Sequence, residues 1–169
     1  MAIDGFTTDR LSVRHWQTVL ADPEDRERLE ADLSAMLSDK VLEHLPPPLH
    51  ITDSITSWVN DRAGESDVLL IEMKDKNLVG LLILAAIPGD EILTVHIGYL
   101  LSEVTWGQGI ASELVAGLVA AMDGKRPVRL IGGVDTGNPA SARVLQKAGF
   151  TVDPSLSQPG HEMYVLTLT

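Results

Sequence analysis

Cysteine is absent from this chain of 169 residues. Its absence excludes disulfide bonds, thiolate metal sites and a cysteine nucleophile, and it agrees with a reducing cytoplasm, where we expect the protein to reside. Basic residues are also few, because 13 Lys and Arg stand against 24 Asp and Glu and give a formal net charge of −11. Since nonspecific nucleic-acid binding relies on cations at phosphates, we expect no nucleic-acid partner. The negative charge either favours cationic partners or only keeps the protein soluble.

Long apolar runs are missing as well. No run reaches the roughly 20 residues that a membrane-spanning helix requires, so we expect no membrane segment. The opening residues lack the basic start and apolar stretch of a secretory signal. The spacings of the five histidines match no metal site, and we expect no metal. The length suits one domain, which we place over residues 1–169.

Apolar periodicity predicts a mixed α+β fold, with a mostly antiparallel sheet of about six or seven strands flanked by about four helices. The strands that the pattern marks are residues 6–14, 68–74, 78–87, 91–101, 127–136 and 163–169. The helices are residues 23–38, a segment through Trp58 and Val59 that Thr52 or Asp53 caps, residues 107–122 and residues 139–148. Short turns at 75–77 and 88–90 join three strands into a meander, and helices after the fourth and fifth strands allow one parallel pair.

A glycine pair marks the first motif that bears on chemistry. In LLSEVTWGQGIASEL a strand ends, Gly107 and Gly109 follow, and a helix begins. Glycine lets the backbone approach a phosphate closely, and a helix start offers free N–H groups and a positive dipole end. By itself the pair is equally compatible with a tight strand–helix turn. It is neither a Walker loop nor a complete dinucleotide fingerprint.

The second motif lies downstream, in GVDTGNPASARVLQKAGF. Asn138 is a predicted N-cap, Pro139 stands at the first helical position, and Gly149 follows the helix end. Ser141 stands on the first turn of the same helix. In isolation both Asn138 and Ser141 are compatible with purely structural roles.

Together and in this order, the two motifs resemble the GNAT acetyltransferase superfamily, and within it the Rim-type branch of ribosomal-protein N-terminal acetyltransferases. The Rim-type loop WGxGxA followed by Ser/Thr-Glu matches residues 106–113, with Trp106 where the wider superfamily has Gln or Arg. The branch's later signature matches Asn138, Ser141, Lys147, Gly149 and Phe150, and TDRLSVR (8–14) and HIGYLL (96–101) resemble its first and fourth strands.

The resemblance implies a GNAT fold that binds acetyl-CoA where the fourth and fifth strands splay apart. A bulge in the fourth strand, near residues 99–101, would expose backbone groups to the pantetheine arm and the thioester oxygen. The amides of residues 107–112 would meet the pyrophosphate, and Asn138 would contact the pantetheine arm. The cofactor-binding set so implied is Leu100, Leu101, Trp106, Gly107, Gln108, Gly109, Ile110, Ala111, Ser112, Asn138 and Ser141.

The resemblance also implies direct attack of a neutral amine on the thioester, with two proton transfers. Many members carry a tyrosine seven residues after the Asn as acid for the thiolate, but that position is Leu145 here, so tyrosine chemistry there is excluded. Ser141, one turn earlier on the same helix face, is the expected hydrogen-bond donor to the thiolate. His96 is the candidate base or else a structural histidine, and Glu91 is the next candidate. Tyr99 either lines the thioester or packs.

The acceptor is expected to be a small-molecule amine or a peptide N-terminus, bound beside a proline-rich segment that His44, His50 and Trp58 flank. A catalytically weak acyl-CoA-binding or sensing module is the alternative that Leu145 leaves open. A homodimer is expected, with the last strand as an edge for pairing.

Overall fold

An eight-stranded mixed sheet spans the protein in the order β1-β2-β3-β4-β5-β6-β8-β7. The structure is a computed structural model that describes residues 3–43, 45–88 and 91–169. The strands are β1 Gly5–Thr7, β2 Leu11–His15, β3 Asp67–Met73, β4 Leu78–Ile87, β5 Leu93–Leu101, β6 Val128–Asp135, β7 Thr151–Val152 and β8 His161–Leu168. Within the described ranges the α-helices are α1 Gln17–Ala21, α2 Pro23–Met36, α3 Asp39–Glu43, α4 Ile55–Glu65, α5 Ile110–Met122 and α6 Pro139–Lys147.

The predicted parallel pair joins β5 to β6, and every other ladder of the sheet is antiparallel. This ladder begins at Leu93 with Val128 and ends at Ile97 with Gly132. Beyond it β5 continues to Leu101 against β4, while β6 continues to Asp135 against β8. The two strands therefore diverge, which confirms the splay expected between the fourth and fifth predicted strands.

Two apolar cores cover the two faces of the sheet. The first core packs α5 and α6 against Val95 and Ile97 of β5, and the second packs α2 and α4 against the opposite face, where Leu100 lies. Successive side chains of a strand point to opposite faces. Odd-numbered residues of β5 thus face α5 and α6, and even-numbered residues face α2 and α4.

Three predicted boundaries are wrong. The strand expected over 6–14 is a hairpin of β1 and β2, because the Thr8 hydroxyl accepts the Leu11 N–H and turns the chain. Ser54, rather than Thr52 or Asp53, caps α4 through the N–H of Ser57. The helix expected from residue 107 begins at Ile110, because Gly107 and Gly109 both adopt positive φ.

The helix predicted after Asn138 is confirmed at both ends. The Asn138 side chain accepts the Ser141 N–H, Pro139 opens α6, and Gly149 follows it with φ of 99°. The turn expected at 88–90 cannot be compared, since Gly89 and Asp90 lie outside the described residues. In the described ranges no helix is long and apolar enough to cross a membrane, and no group of three metal-ligating side chains comes together.

The last strand is not the edge of the sheet, contrary to expectation. β8 lies between β6 and the two-residue β7, which pairs with Val165 and Tyr164. The Asp153 N–H also donates to Met163 O. An interface formed by pairing along the whole of β8 is therefore blocked over this stretch.

Candidate active site

A cavity of about 890 Å³ opens where β5 and β6 diverge. Its wall combines the carboxyl end of β5, the loop before α5, the start of α6 and the start of β8. Of the cofactor-binding set predicted from the sequence, every residue except Gln108 lines it. Both predicted catalytic residues, His96 and Ser141, line it too.

The loop before α5 leaves backbone donors without partners. Gly109 is the N-cap of α5 with φ of 76°, in the left-handed region that favours glycine, and no side chain among the described residues caps this helix. The first intrahelical bond runs from Glu113 N–H to Gly109 O. The N–H groups of Ile110, Ala111 and Ser112 therefore have no intrahelical acceptor, and all three residues line the cavity. Such a helix start suits an anion.

Trp106 and Gln108 shape this loop by contacts within it. The indole N–H of Trp106 donates to Leu101 O over 2.9 Å, although 47% of the residue is exposed. The Gln108 side-chain amide donates to Val104 O, so this side chain is engaged away from the cavity. The loop is thereby fixed to the end of β5.

A network that sequence reasoning missed holds the loop from the other side. The Glu113 carboxylate accepts hydrogen bonds from the Thr8 hydroxyl, the Arg10 backbone N–H and Arg10 Nε, over 2.6 to 2.8 Å. Arg10 Nη1 also donates to Gln108 O. Burial raises the pKa of Glu113, but these hydrogen bonds outweigh it and hold the pKa below its ordinary value. The sequence showed TDRLSVR and Ser112-Glu113 as separate motifs without indicating that they pair.

The bulge expected near residues 99–101 is absent from the β4–β5 ladder, which keeps one register from Thr94 to Leu101. Backbone groups are exposed for another reason. Ser102 N–H donates to Val79 of β4, so by alternation the backbone groups of Tyr99 and Leu101 point toward β6. Because β6 has already diverged there, Tyr99 has no strand partner on that side.

Ser141 stands on the first turn of α6, facing the cavity. Its Oγ accepts a hydrogen bond from Asn138 Nδ2 over 3.0 Å. Leu145, one turn later, is only 2% exposed. A Cβ at Gly132 would lie 2.9 Å from Leu145 Cδ1, so the glycine permits α6 to approach β6 closely. The position for which the resemblance implies a tyrosine in many members is thus filled by a buried apolar side chain.

Tyr99 brings a phenol to this place from the sheet instead of from the helix. It lines the cavity and packs against the first core. Burial raises the pKa of Tyr99, and the neighbouring Ser141 acts to lower it. The phenol oxygen is nevertheless buried without a well-formed hydrogen bond to any described residue. Sequence reasoning left Tyr99 open between lining the site and packing, and it does both.

His96 lies on the opposite face of β5 from Tyr99, as their even and odd positions require. Burial lowers the pKa of His96 below its ordinary value, so the ring is neutral near pH 7. No hydrogen bond or ion pair joins the ring to the part of the chain that the structure describes. Glu91, the second candidate base, does not line the cavity.

The wall on the His96 face is formed by the proline-rich segment, as expected. Trp58 Nε1 donates to Leu49 O over 2.8 Å, and the His50 ring contacts Leu45 O over 2.8 Å. Both carbonyls belong to residues that line the cavity. His44 lies outside the described residues. Charged and titratable residues that sequence reasoning missed here are Lys40, Glu65, Asp135 and His161.

Residues 10–151 match the family model described as "Acetyltransferase (GNAT) domain". No curated protein matches the chain significantly.

Three solved structures illustrate the likeness in fold. The spermidine N-acetyltransferase of Vibrio cholerae, solved with CoA and spermine, is 14% identical, with 93% of this chain and 95% of that chain covered and a TM-score of 0.70. RimL, the ribosomal L7/L12 alpha-N-protein acetyltransferase solved with coenzyme A, is 20% identical, with 97% and 98% covered and a TM-score of 0.65. RimJ of Mycobacterium smegmatis, in complex with CoA-disulfide, is 22% identical, with 93% and 81% covered and a TM-score of 0.66.

Proposed function

The chain belongs to the acetyltransferase (GNAT) domain family, and from this premise we propose that it transfers the acetyl group of acetyl-CoA to a primary amine by direct attack. The resemblance to the GNAT superfamily is thereby confirmed. RimL and RimJ, from the expected branch, share the fold. The observation that carries the proposal is the cavity, in which an uncapped helix start, Ser141 and His96 border one space.

The residues present fit acetyl-CoA. The free N–H groups at the start of α5 suit its diphosphate, and the backbone of Tyr99 and Leu101 at the open edge of β5 suits the amides of its pantetheine arm. Asn138 and Ser141 would border its sulfur end. When bound, acetyl-CoA supplies an activated acetyl group on a sulfur leaving group. The same residues are therefore proposed as the cofactor-binding set, with Gln108 contributing through its backbone.

The two proton steps fall to opposite faces of β5. His96, neutral near pH 7, accepts the ammonium proton directly or through water on the face walled by the proline-rich segment. Ser141 donates a hydrogen bond to the sulfur from the α6 face. This division places the acceptor amine on the His96 side and the leaving group on the Ser141 side.

The acceptor is proposed to be a cationic small-molecule amine or a peptide N-terminus. The net charge of −11 favours a cation, and Asp135 lines the cavity together with Lys40 and with Glu65, which is paired with Arg62. Among the proteins of similar fold, one is named for spermidine and another for the ribosomal protein L7/L12.

Thiol release from acetyl-CoA, measured against a panel of polyamines, amino acids, aminoglycosides and peptides, tests the proposal. We expect at least one amine to accelerate release and to yield its N-acetyl product by mass spectrometry. Tight CoA binding with no turnover for any class would instead support the acyl-CoA-binding or sensing alternative, which the buried Leu145 favours.

Replacing His96 by Gln is expected to flatten the acidic limb of the pH dependence of kcat/KM. Because burial holds the pKa of His96 below its ordinary value, the contribution of this ring to the parent's acidic limb appears at pH values below that ordinary pKa, where the ring gains a proton. Glutamine does not titrate, so the limb that remains belongs to the amine substrate. Initial-rate assays across the pH range compare kcat/KM of the parent with that of the His96→Gln variant.

His161→Gln is the matched control for this experiment, because His161 also lines the cavity and its ring lies over Gly133. We expect its profile to keep the acidic limb. If the acidic limb vanishes in the His161→Gln variant and persists in the His96→Gln variant, the general base is His161.

A homodimer in the cytoplasm is also proposed. Full pairing along β8 is blocked, but Leu166 and Leu168 lie beyond the residues that β7 pairs. Sedimentation equilibrium measures the oligomeric state, and a monomer at all accessible concentrations would refute the dimer.

A further inference from the structure

The hydroxyl of Tyr99 is a polar atom whose position packing does not explain. Its oxygen is buried, and no described residue gives it a well-formed hydrogen bond. An unsatisfied buried hydroxyl disfavours folding, whereas phenylalanine would fill the same apolar space without that cost. The ring contributes to the first core, but the oxygen contributes nothing to it. The oxygen can therefore serve the protein only through a polar neighbour in the cavity wall or through a molecule that enters the cavity.

Ser141 lies beside this oxygen, since both residues line the cavity and Ser141 is the side chain that acts to lower the pKa of Tyr99. The hydrogen bonds that Ser141 already makes limit what it can do. A serine hydroxyl has one proton to donate and two lone pairs that accept. Asn138 Nδ2 already donates to Oγ, which occupies one lone pair. A phenol that donates to the second lone pair would leave only the Ser141 proton uncommitted. That proton would then have to point away from both Asn138 and Tyr99.

We propose that Tyr99 is a positioning residue, whose phenol donates to Ser141 Oγ in the acetyl-CoA complex and so aims the Ser141 hydroxyl proton at the leaving sulfur. The inference rests on the proposed function. In this arrangement Tyr99 of β5 supports proton donation to the sulfur, a role that the buried, apolar Leu145 of α6 cannot have.

The balance of the step is simple. The C–S bond breaks as the C–N bond forms, and the electron pair of the C–S bond stays on sulfur. Sulfur gains one proton through the Ser141 hydroxyl, which regains one from water. The attacking nitrogen, made neutral when His96 took the ammonium proton, gives up one further proton to water, which balances the proton that water returns to Ser141. Tyr99 keeps its own proton throughout.

A double-mutant cycle over Tyr99→Phe and Ser141→Ala tests this coupling with acetyl-CoA and the fastest amine of the panel. Tyr99→Phe is expected to lower kcat about tenfold, the loss of roughly one hydrogen bond. The KM for acetyl-CoA should stay unchanged, and the melting temperature should not fall. In the Ser141→Ala background the same substitution should cost nothing further. An equal loss in both backgrounds, or an unchanged kcat in the single variant, would overturn the inference.

A second measurement needs no amine and separates this inference from the proposed function. Calorimetry compares the affinity of CoA with that of desulfo-CoA as the pH rises toward the ordinary thiol pKa of roughly 8.5. A hydrogen bond to the thiolate makes CoA gain affinity over desulfo-CoA, and we expect Ser141→Ala to abolish that gain and Tyr99→Phe to reduce it. A gain that Tyr99→Phe leaves intact overturns the positioning role. If no amine is acetylated yet the gain depends on both residues, the proposed function fails and the hydrogen-bond arrangement stands.

Discussion

Replacing Gly109 by Trp is expected to weaken acetyl-CoA binding by at least about 100-fold, or about 2.8 kcal/mol. A Cβ at Gly109 would lie 3.5 Å from Arg10 Nη2, and the bulky indole would crowd the loop that presents the N–H groups of residues 110–112, which have no intrahelical acceptor. Hydrogen bonds to a charged group are worth roughly 1.5–3 kcal/mol each, so losing two of them accounts for the whole effect. Isothermal calorimetry measures the dissociation constant directly.

Gly124→Trp is the control, because Gly124 has a similar positive φ of 72° and no atoms within 4 Å of the space its Cβ would take. It does not line the cavity. Both variants carry the same kind of backbone strain, but only Gly109→Trp crowds the phosphate loop and the Arg10 side chain that holds it. Parent-like affinity in Gly109→Trp would remove the loop from the cofactor site, and equal losses in both variants would assign the effect to strain.

Replacing Ser141 by Ala is expected to lower kcat about 100-fold while changing the affinity for acetyl-CoA little. Preorganised donors to a developing negative charge are worth roughly 100- to 1000-fold in kcat. The helix should tolerate the change, since Ala is the better helix former and the Asn138 oxygen still accepts the backbone N–H of residue 141. Steady-state kinetics with acetyl-CoA varied separates kcat from KM.

Ser141→Thr serves as the conservative comparison, because it keeps a hydroxyl on the same carbon. We expect Thr to recover most of the activity that Ala loses. If Ala and the parent enzyme turn over equally fast, the sulfur receives its proton without Ser141. If KM rises while kcat stays unchanged, Ser141 contributes to binding alone.

Local signals predicted the parts of the fold that are decided locally. The N-cap Asn138, Pro139 and Gly149 delimit α6 because capping depends on a few neighbouring residues. The β-hairpin at residues 5–15 was missed because Leu11 and Val13 continue an alternating pattern while Thr8 turns the chain. Only the hydrogen bonds of that turn distinguish one long strand from two short ones.

Features of the candidate site that lie within one segment could be predicted from the sequence, whereas contacts between two distant segments could not. Parity along β5 already sets His96 and Tyr99 on opposite faces, but it does not say which helix covers each face. Excluding a tyrosine at position 145 was correct. That a phenol reaches Ser141, one turn earlier on α6, from the sheet depends on how closely α6 approaches Gly132, which no local pattern encodes.

The contacts of Glu113 with Thr8 and Arg10 also bear on how the protein folds. These contacts join residues that are separated in the sequence by 103 to 105 positions. Closing such a long loop costs conformational entropy before any contact repays it, and contacts of this kind slow folding. During synthesis the hairpin near the amino terminus cannot make these contacts with Glu113 until α5 has emerged. The loop that we assign to the acetyl-CoA diphosphate thus acquires its final shape late, after most of the sheet has been made.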